Sequence, residues 1–202
     1  MPRRNRVDPW GDLHAVTGRG MFTGNRGCLV NDVEEVVRHH RGQLWITCVT
    51  EFRDWRFPLA RPGRWTPIFF LDDAVALAAG HRPCGLCRRE AYQSYRDAVT
   101  RAAGLDRPLG AQDLNRRLAS ERHHPGRGLE RAAHRRLWTV DIHGLPPGVV
   151  IIDKERRPRL LLDDRLLMFT FEGWIRPEER DRVAQTESPR NQSIQDTQRR
   201  IR

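Results

Sequence analysis

The chain has 202 residues, of which 38% are hydrophobic and 31% are charged, so we expect one compact domain or one domain with a small appendage. No apolar run approaches the roughly 20 residues of a membrane span, and the start, Met-Pro-Arg-Arg-Asn-Arg, lacks the apolar stretch of a signal peptide. These features argue against a membrane protein and predict a cytoplasmic one. In that compartment four cysteines indicate a metal site or free thiols rather than a disulfide framework.

The formal net charge is +10, and it is almost entirely arginine, since Lys154 is the only lysine. Arginine binds phosphate through a planar, bidentate fork, and a strongly basic chain is typical of proteins that bind nucleic acid. Two interpretations stay open. The charge serves polyanion binding, or it reflects a GC-rich genome, which favours arginine codons, and gives a merely basic surface.

The first half of the chain predicts strands followed by helices. β-branched and aromatic residues predict strands over residues 44–52, 55–57 and 65–71. A helix over residues 74–79 follows, with Asp72 or Asp73 as its N-cap and Gly80 as its stop. Apolar residues at helical spacing predict another helix over 88–103.

Between these two helices lies a Cys-x-x-Cys turn, Cys84-Gly85-Leu86-Cys87, preceded by Pro83. Two thiolates at this spacing can chelate one soft cation, because Pro and Gly let the backbone turn sharply enough to aim both sulfurs inward. We therefore expect Zn²⁺ at Cys84 and Cys87.

Residues 70–87, Phe-Leu-Asp-Asp-Ala-Val-Ala-Leu-Ala-Ala-Gly-His-Arg-Pro-Cys-Gly-Leu-Cys, resemble the metal-binding module of Ada-type DNA methylphosphotriester repair proteins. The resemblance implies that Cys84 and Cys87 are two of four cysteine ligands of a structural zinc. The family's other pair lies upstream as Cys-x-x-x-Cys and includes the methyl-accepting thiolate. This sequence has no such pair, so methyl-acceptor chemistry is not expected.

The remaining zinc ligands are open at the level of the sequence. Cys28 and Cys48 stand alone on presumed strands, and antiparallel pairing can bring them beside Cys84 and Cys87 to close a four-cysteine site. Alternatively, Cys48 joins the pair and a histidine is the fourth ligand. Both cysteines can also be ordinary buried residues. The candidate histidines are His39, His40 and His81.

The next region is basic and predicts a pair of helices, over residues 111–122 and 129–137, joined at His123-His124-Pro125-Gly126. We expect arginines of this region and of the preceding helix to grip phosphates. The predicted phosphate-binding residues are Arg88, Arg89, Arg116, Arg117, Arg127, Arg131, Arg135 and Arg136.

The histidines of this region raise the alternative of a metal-dependent nuclease or other DNA-processing enzyme. Asp141 and His143 stand on alternate positions of a presumed strand, and His123 and His124 are adjacent. No further residue completes a catalytic set, so a solvated histidine pair is the favoured interpretation.

From residue 148 onward, apolar strands separated by polar turns predict an antiparallel β-meander, and the segment after Pro177 predicts a disordered tail. The predicted class is α+β, with an N-terminal antiparallel sheet, a zinc-knuckle turn and helix, a basic helical pair and a C-terminal meander. We expect an Ada-like zinc-binding region over 1–104, the helical pair and meander over 105–175, and the tail over 176–202. The predicted function is a zinc-stabilised nucleic-acid-binding protein, with DNA as partner. The rivals are the enzyme named above and a zinc-scaffolded protein-interaction module.

Overall fold

The structure is a computed structural model that describes residues 2–54, 63–163, 165–179 and 186–189. The predicted strand over 55–57 lies outside these residues. The helices are α1 (Asp73–Ala78), α2 (Arg89–Ala102) and α3 (Ala111–Arg122). The strands are β1 (Arg6–Val7), β2 (Leu13–His14), β3 (Phe22–Asn25), β4 (Ile46–Val49), β5 (Ile68–Phe70), β6 (Arg82–Pro83), β7 (Leu137–Val140), β8 (Val150–Ile152), β9 (Pro158–Leu161), β10 (Arg165–Phe169), β11 (Trp174–Glu179) and β12 (Thr186–Pro189).

The first six strands form one mixed sheet in the order β2-β1-β5-β3-β4-β6. The centre is antiparallel, as predicted, because β3 pairs with both β4 and β5 in that sense. Two pairs are parallel: β1 with β5 and β4 with β6. A parallel pair needs a long crossover, and the connection from β4 to β6 contains β5 and α1.

Helix α1 begins and ends where its capping residues predict. The Asp72 carboxylate accepts the Val75 N–H at 2.9 Å, and Gly80 follows the helix with a φ of +87°. The buried face of α1, Val75 and Ala76, packs on the first sheet together with Phe70. This packing fixes the direction in which the chain enters β6.

Helices α2 and α3, which are confirmed, pack against each other. Tyr95 and Val99 of α2 meet Leu114 and Leu118 of α3 in a separate apolar cluster. These residues lie three or four positions apart, so each pair stands on one side of its helix. The two helices thus form a layer on which the β6 segment rests, since Arg82 donates to Asn115 at 2.9 Å.

The second helix of the predicted basic pair is wrong. Residues 132–134 form a single 3₁₀ turn, and the chain then continues as strand β7. The Asp12 carboxylate anchors the start of this turn, because it accepts the backbone N–H groups of Arg131 and Ala132 at 2.7 and 3.1 Å. His123 also forms a β-bridge with Arg135, so the segment pairs with the end of α3 rather than coiling.

The C-terminal meander is confirmed. Strands β8 to β11 pair antiparallel with their neighbours, and β12 and β7 extend the sheet in the order β11-β10-β9-β8-β12-β7. The sheet is tied to the first one, because the Trp174 indole N–H donates to Asp72 at 2.6 Å. The predicted tail over 176–202 lies largely outside the described residues; inside it, β11 ends at Glu179 and β12 is a strand. No helix in the described part of the chain is both long and apolar enough to span a bilayer.

Candidate metal centre

Three cysteine side chains converge at the β4–β6 edge of the first sheet. The Sγ atoms of Cys48, Cys84 and Cys87 all lie within 4.8 Å of one another. A tetrahedral zinc ion with Zn–S bonds of about 2.3 Å holds its sulfurs about 3.8 Å apart, so the arrangement is compatible with one ion. Thiolates are soft ligands that select metals such as zinc or copper(I) over magnesium and calcium. The three cysteines are therefore placed to hold a metal ion.

Strand pairing brings Cys48 to the Cys-x-x-Cys turn. Cys48 lies on β4, and β6 runs parallel to it with Thr47 opposite Pro83. One residue beyond Pro83, the Cys84 N–H donates to the Thr47 carbonyl at 2.8 Å. The parallel pair, which the sequence did not predict, is thus the element that closes the site.

The turn itself is shaped by contacts to its backbone. The Leu86 N–H donates to Cys84 Sγ at 3.5 Å, and the Arg88 N–H donates to the Cys84 carbonyl at 3.1 Å. A Cβ at Gly85 would lie 3.2 Å from the Tyr92 ring, so a larger residue there would push the ring by a few tenths of an ångström. Backbone N–H groups aimed at sulfur favour the thiolate, which is the form that binds metal.

The three thiols differ in pKa. A hydrogen bond from Cys48 and the backbone N–H groups of Cys87 and Leu86 lower the pKa of Cys84 to about 5. The same hydrogen bond to Cys84, together with burial, raises the pKa of Cys48, and burial raises the pKa of Cys87. One thiolate at Cys84 is therefore present at neutral pH, and a bound cation would displace the other two protons.

Arg88 braces the turn rather than facing solvent. Its guanidinium donates to both carboxylate oxygens of Asp73 at 2.7 Å and to the Thr47 hydroxyl at 2.7 Å. It lies 4.1 Å from the centroid of the Phe22 ring, and its side chain is 9% exposed. Arg88 therefore joins α1, β4 and β3 behind the metal centre, and the structure does not place it on an exposed phosphate-binding surface.

Cys28, the fourth predicted cysteine ligand, is not brought to these sulfurs. Strand β3 pairs Thr23 with Cys48, so Cys28 lies five residues further along the chain and beyond the strand. It is buried, and its thiol donates to the Val30 carbonyl at 3.5 Å. Cys28 thus behaves as a small buried side chain, which was the alternative interpretation.

The histidine alternatives also lie elsewhere. His39 and His81 are buried against the Trp45 ring, at centroid distances of 5.6 and 5.0 Å, and His40 packs on the same ring at 5.1 Å. Every cysteine and histidine of the sequence belongs to the described residues, and none besides the three cysteines joins the group. No described carboxylate lies within 4.8 Å of all three sulfurs either. The described side chains therefore leave one position of a tetrahedral ion open.

A cavity of about 710 Å³ borders the three sulfurs. Its wall contains the aromatic side chains of Phe52, Trp65 and Phe69, and two carboxylates, Glu51 and Asp54, from the segment that follows β4. Both carboxylates are exposed. This cavity therefore brings the three sulfurs, three aromatic side chains and two carboxylates to one space.

The arginines that were predicted to form one basic surface are divided between surface and interior. Arg131 and Arg135 are buried, at 5% and 4% exposure. The buried Arg135 donates to the Ala78 carbonyl, which packs it behind α1. These two side chains do not lie on an exposed surface. The exposed or half-buried members are Arg89, Arg116, Arg117, Arg127 and Arg136.

The other candidate catalytic histidines have structural surroundings. The Asp141 carboxylate accepts the His143 N–H at 3.0 Å and so caps a 3₁₀ turn. His123 is half-buried beside Trp45, with 5.7 Å between ring centroids, whereas His124 is exposed. The structure does not bring Asp141 or His143 to the three cysteines.

Sequence reasoning missed a second cluster, in the interior around Trp45. We call the guanidinium groups of Arg26, Arg122, Arg131 and Arg135 the buried cationic cluster; the four residues are 0% to 5% exposed. Arg26 and Arg122 lie 5.1 and 4.4 Å from the centroid of the Trp45 ring. The sequence carries no signal for this burial, because a polar residue or glycine stands next to each of these arginines and arginine is mostly exposed in proteins.

The centre does not lead to a known family. Comparison with protein families, with curated proteins and with solved structures found no match to this chain. The resemblance of residues 70–87 to the Ada-type module stays a prediction from the sequence.

Proposed function

We propose that the protein is stabilised by zinc and binds nucleic acid. The observation that carries the zinc assignment is the convergence of three sulfurs, from Cys48, Cys84 and Cys87, within 4.8 Å of one another. Zinc fits this donor set because it prefers tetrahedral thiolate sites and does not change its oxidation state. Bound there, the ion ties β4 to the turn that starts α2, so its first role is structural.

Nucleic acid is the partner that the surroundings of the metal centre favour. The guanidinium groups of Arg53 and Arg6 lie 5.0 and 4.9 Å from the ring centroids of Phe52 and Phe69, two aromatic residues of the cavity wall. Aromatic rings stack on unpaired bases, and guanidinium groups attract the phosphates between them. Together with the net charge of +10, this combination supports single-stranded nucleic acid, with DNA as the proposed partner.

A second candidate is a DNA-processing hydrolase. It is favoured by the open position of the metal and by Glu51, which lines the same cavity as the cysteines. Zinc enzymes keep three protein ligands and leave the fourth position to water or substrate, and a nearby carboxylate can take up a proton. Zinc-dependent turnover of a single-stranded oligonucleotide that Glu51→Gln abolishes, without loss of zinc, identifies this function.

The zinc assignment is tested by metal stoichiometry after exhaustive dialysis. We expect one zinc per chain in the wild type and in Cys28→Ser, and none in Cys48→Ser, Cys84→Ser or Cys87→Ser. Cys28→Ser is the matched control, because it removes a buried thiol outside the group. Zinc retained without Cys84, or lost without Cys28, contradicts the assignment.

Binding of nucleic acid is tested with a fluorescent single-stranded oligonucleotide over a range of salt concentrations. Each released counterion contributes about 0.7 to the slope of log K against log salt on a single strand, so Arg53→Gln should lower the slope by about that amount. Arg107→Gln, an exposed arginine in the loop between α2 and α3, is the control. No binding even at low salt refutes the nucleic-acid part and leaves the zinc-scaffolded interaction module.

A further inference from the structure

The guanidinium groups of the buried cationic cluster bind backbone carbonyls, and none of them forms a direct ion pair among the described residues. Arg26 donates to the Gly11 carbonyl at 2.6 Å, and Arg131 donates to the His124 carbonyl at 3.2 Å. Arg122 and Arg135 likewise bind backbone carbonyls. No described carboxylate forms an ion pair with any of the four guanidinium groups.

Asp8 and Asp12 are close enough to favour the charged forms of Arg26 and Arg135, but both carboxylates bind other groups. Asp8 accepts the Asp12 N–H at 2.9 Å and pairs with the His14 ring. The Asp12 carboxylate accepts the N–H groups of Arg131 and Ala132, and His39 Nε2 lies 3.5 Å from it. A buried charge without a partner costs several kcal/mol, and a cluster of four repels itself as well. An interior of this kind is stable when an anion from outside the chain occupies it.

The imidazoles around the cluster add no positive charge. Burial and the neighbouring Arg26 lower the pKa of His39 to about 3 and that of His40 to about 4. Burial also lowers the pKa of Arg26 and of Arg122 to about 9, a value at which both guanidinium groups remain charged at neutral pH. The positive charge of this interior therefore lies on guanidinium groups.

A cavity of about 400 Å³ leads to two members of the cluster. Arg122, Arg131, Arg136 and His123 line it. Each of these four residues carries one buried nitrogen with no hydrogen-bond partner among the described residues: Nη2, Nε, Nε and Nε2, respectively. The cavity therefore combines net positive charge with several N–H groups that lack an acceptor.

We propose that this cavity binds a phosphoryl oxyanion, as inorganic phosphate or as the terminal phosphate of a nucleotide chain. A guanidinium fork pairs with two oxygens of one phosphoryl group, and three arginines around one cavity match its charge. A metal cation is excluded by the same positive charge. The site is separate from the three cysteines and stands independently of the zinc assignment.

The test uses the full chain, purified without phosphate or sulfate, with sodium phosphate as the probe and sodium chloride holding the ionic strength constant. Phosphate should raise the melting temperature in a saturable way, whereas chloride alone should not. The half-buried Arg136→Gln should weaken phosphate binding about tenfold, or about 1.4 kcal/mol, and the buried Arg131→Gln at least as much. Arg107→Gln, exposed and outside the cavity lining, is the matched control.

Two further arms separate the sources of the anion. An oligonucleotide with a 5′-phosphate should compete with phosphate while the same oligonucleotide without it does not; if neither competes, the ligand is free phosphate. Arg136→Gln keeps the proposal testable if Arg131→Gln does not fold. The proposal is overturned if phosphate acts no more strongly than acetate, or if Arg136→Gln binds phosphate as tightly as the wild type and the Arg107→Gln control do.

Discussion

Replacement of Arg88 by alanine tests whether this side chain stabilises the fold or contacts phosphate. The variant loses a bidentate pair with Asp73, a hydrogen bond to the buried Thr47 hydroxyl and the contact with the Phe22 ring. Because the Asp73 side chain is 46% exposed, the ion pair is worth only about 1–1.5 kcal/mol. The Thr47 bond adds about 1 kcal/mol and the ring contact about 0.5–1 kcal/mol.

The free energy of unfolding should therefore fall by about 3 kcal/mol in Arg88→Ala, which in a chain of this size corresponds to about 6–12 °C in melting temperature. The adjacent Arg89→Ala is the control and should stay within about 0.5 kcal/mol of the wild type, since Arg89 is exposed. Arg88→Lys should recover only part of the loss, because lysine keeps the charge without the fork. Urea unfolding, followed by circular dichroism in excess zinc, gives all three values. Equal stability of Arg88→Ala and Arg89→Ala would refute the brace.

Three further predictions concern the core and the titrating groups. Leu118→Ala leaves a cavity at a fully buried position between α2 and α3 and should lower the free energy of unfolding by about 3–5 kcal/mol. Leu105 is partly exposed, so Leu105→Ala should lower it far less. Thermal unfolding measures both variants. Burial lowers the pKa of His39 to about 3, so the unfolded chain binds a proton at this residue more readily than the folded chain does. As pH falls from 7 to 5, about 2 kcal/mol of stability should therefore be lost through His39. Urea titrations at the two pH values should show a correspondingly smaller loss for His39→Gln. The hydrogen bond that the His14 ring donates to the Asp8 carboxylate raises the pKa of His14. This pair therefore stabilises the fold below about pH 6.5 and ceases to do so as pH rises through the folded-state pKa. Asp8→Asn should be more destabilising at pH 6 than at pH 9, and an equal effect at both would contradict the pairing.

Local chemistry explains what could be predicted from the sequence. The N-cap at Asp72 and the stop at Gly80 depend on residues inside or beside α1, and the turn at Cys84 and Cys87 depends on its own proline and glycine. The alternation of apolar strands and polar turns after residue 148 likewise sets the meander through neighbours in the chain. These elements were predicted because their causes lie within a few residues.

What could not be predicted depends on contacts between distant residues. Asp12 anchors the backbone of Arg131, 119 positions away, and the chain then pairs His123 with Arg135, so a strand follows where a helix was predicted. The parallel pairing of β4 with β6 decides that Cys48 belongs to the metal centre and Cys28 does not. The net charge could not predict that Arg26 is buried, because composition does not show which residues lie in the interior.

The three-cysteine group and the cavity of about 400 Å³ in which we propose an anion share two segments of chain. The Arg122 guanidinium donates to the Gly80 carbonyl at 2.8 Å and to the Gln43 carbonyl at 3.1 Å. Gly80 precedes β6, which leads to Cys84, and Gln43 precedes β4, which carries Cys48. The segments that hold Arg122 in place are therefore the same ones that a metal ion at the three cysteines would clamp together.

Because these segments are shared, removal of bound zinc should weaken phosphate binding although no residue of the cavity is changed. We expect the dissociation constant for phosphate to rise severalfold in chelator-treated protein and in Cys84→Ser, at a temperature where circular dichroism shows both still folded. Cys28→Ser should bind phosphate as the wild type does, because it leaves the metal in place. Linkage requires the reverse effect as well, so saturating phosphate should tighten zinc binding by the same factor. Phosphate affinity that is identical with and without zinc would mean that β4 and β6 hold Arg122 without help from the metal.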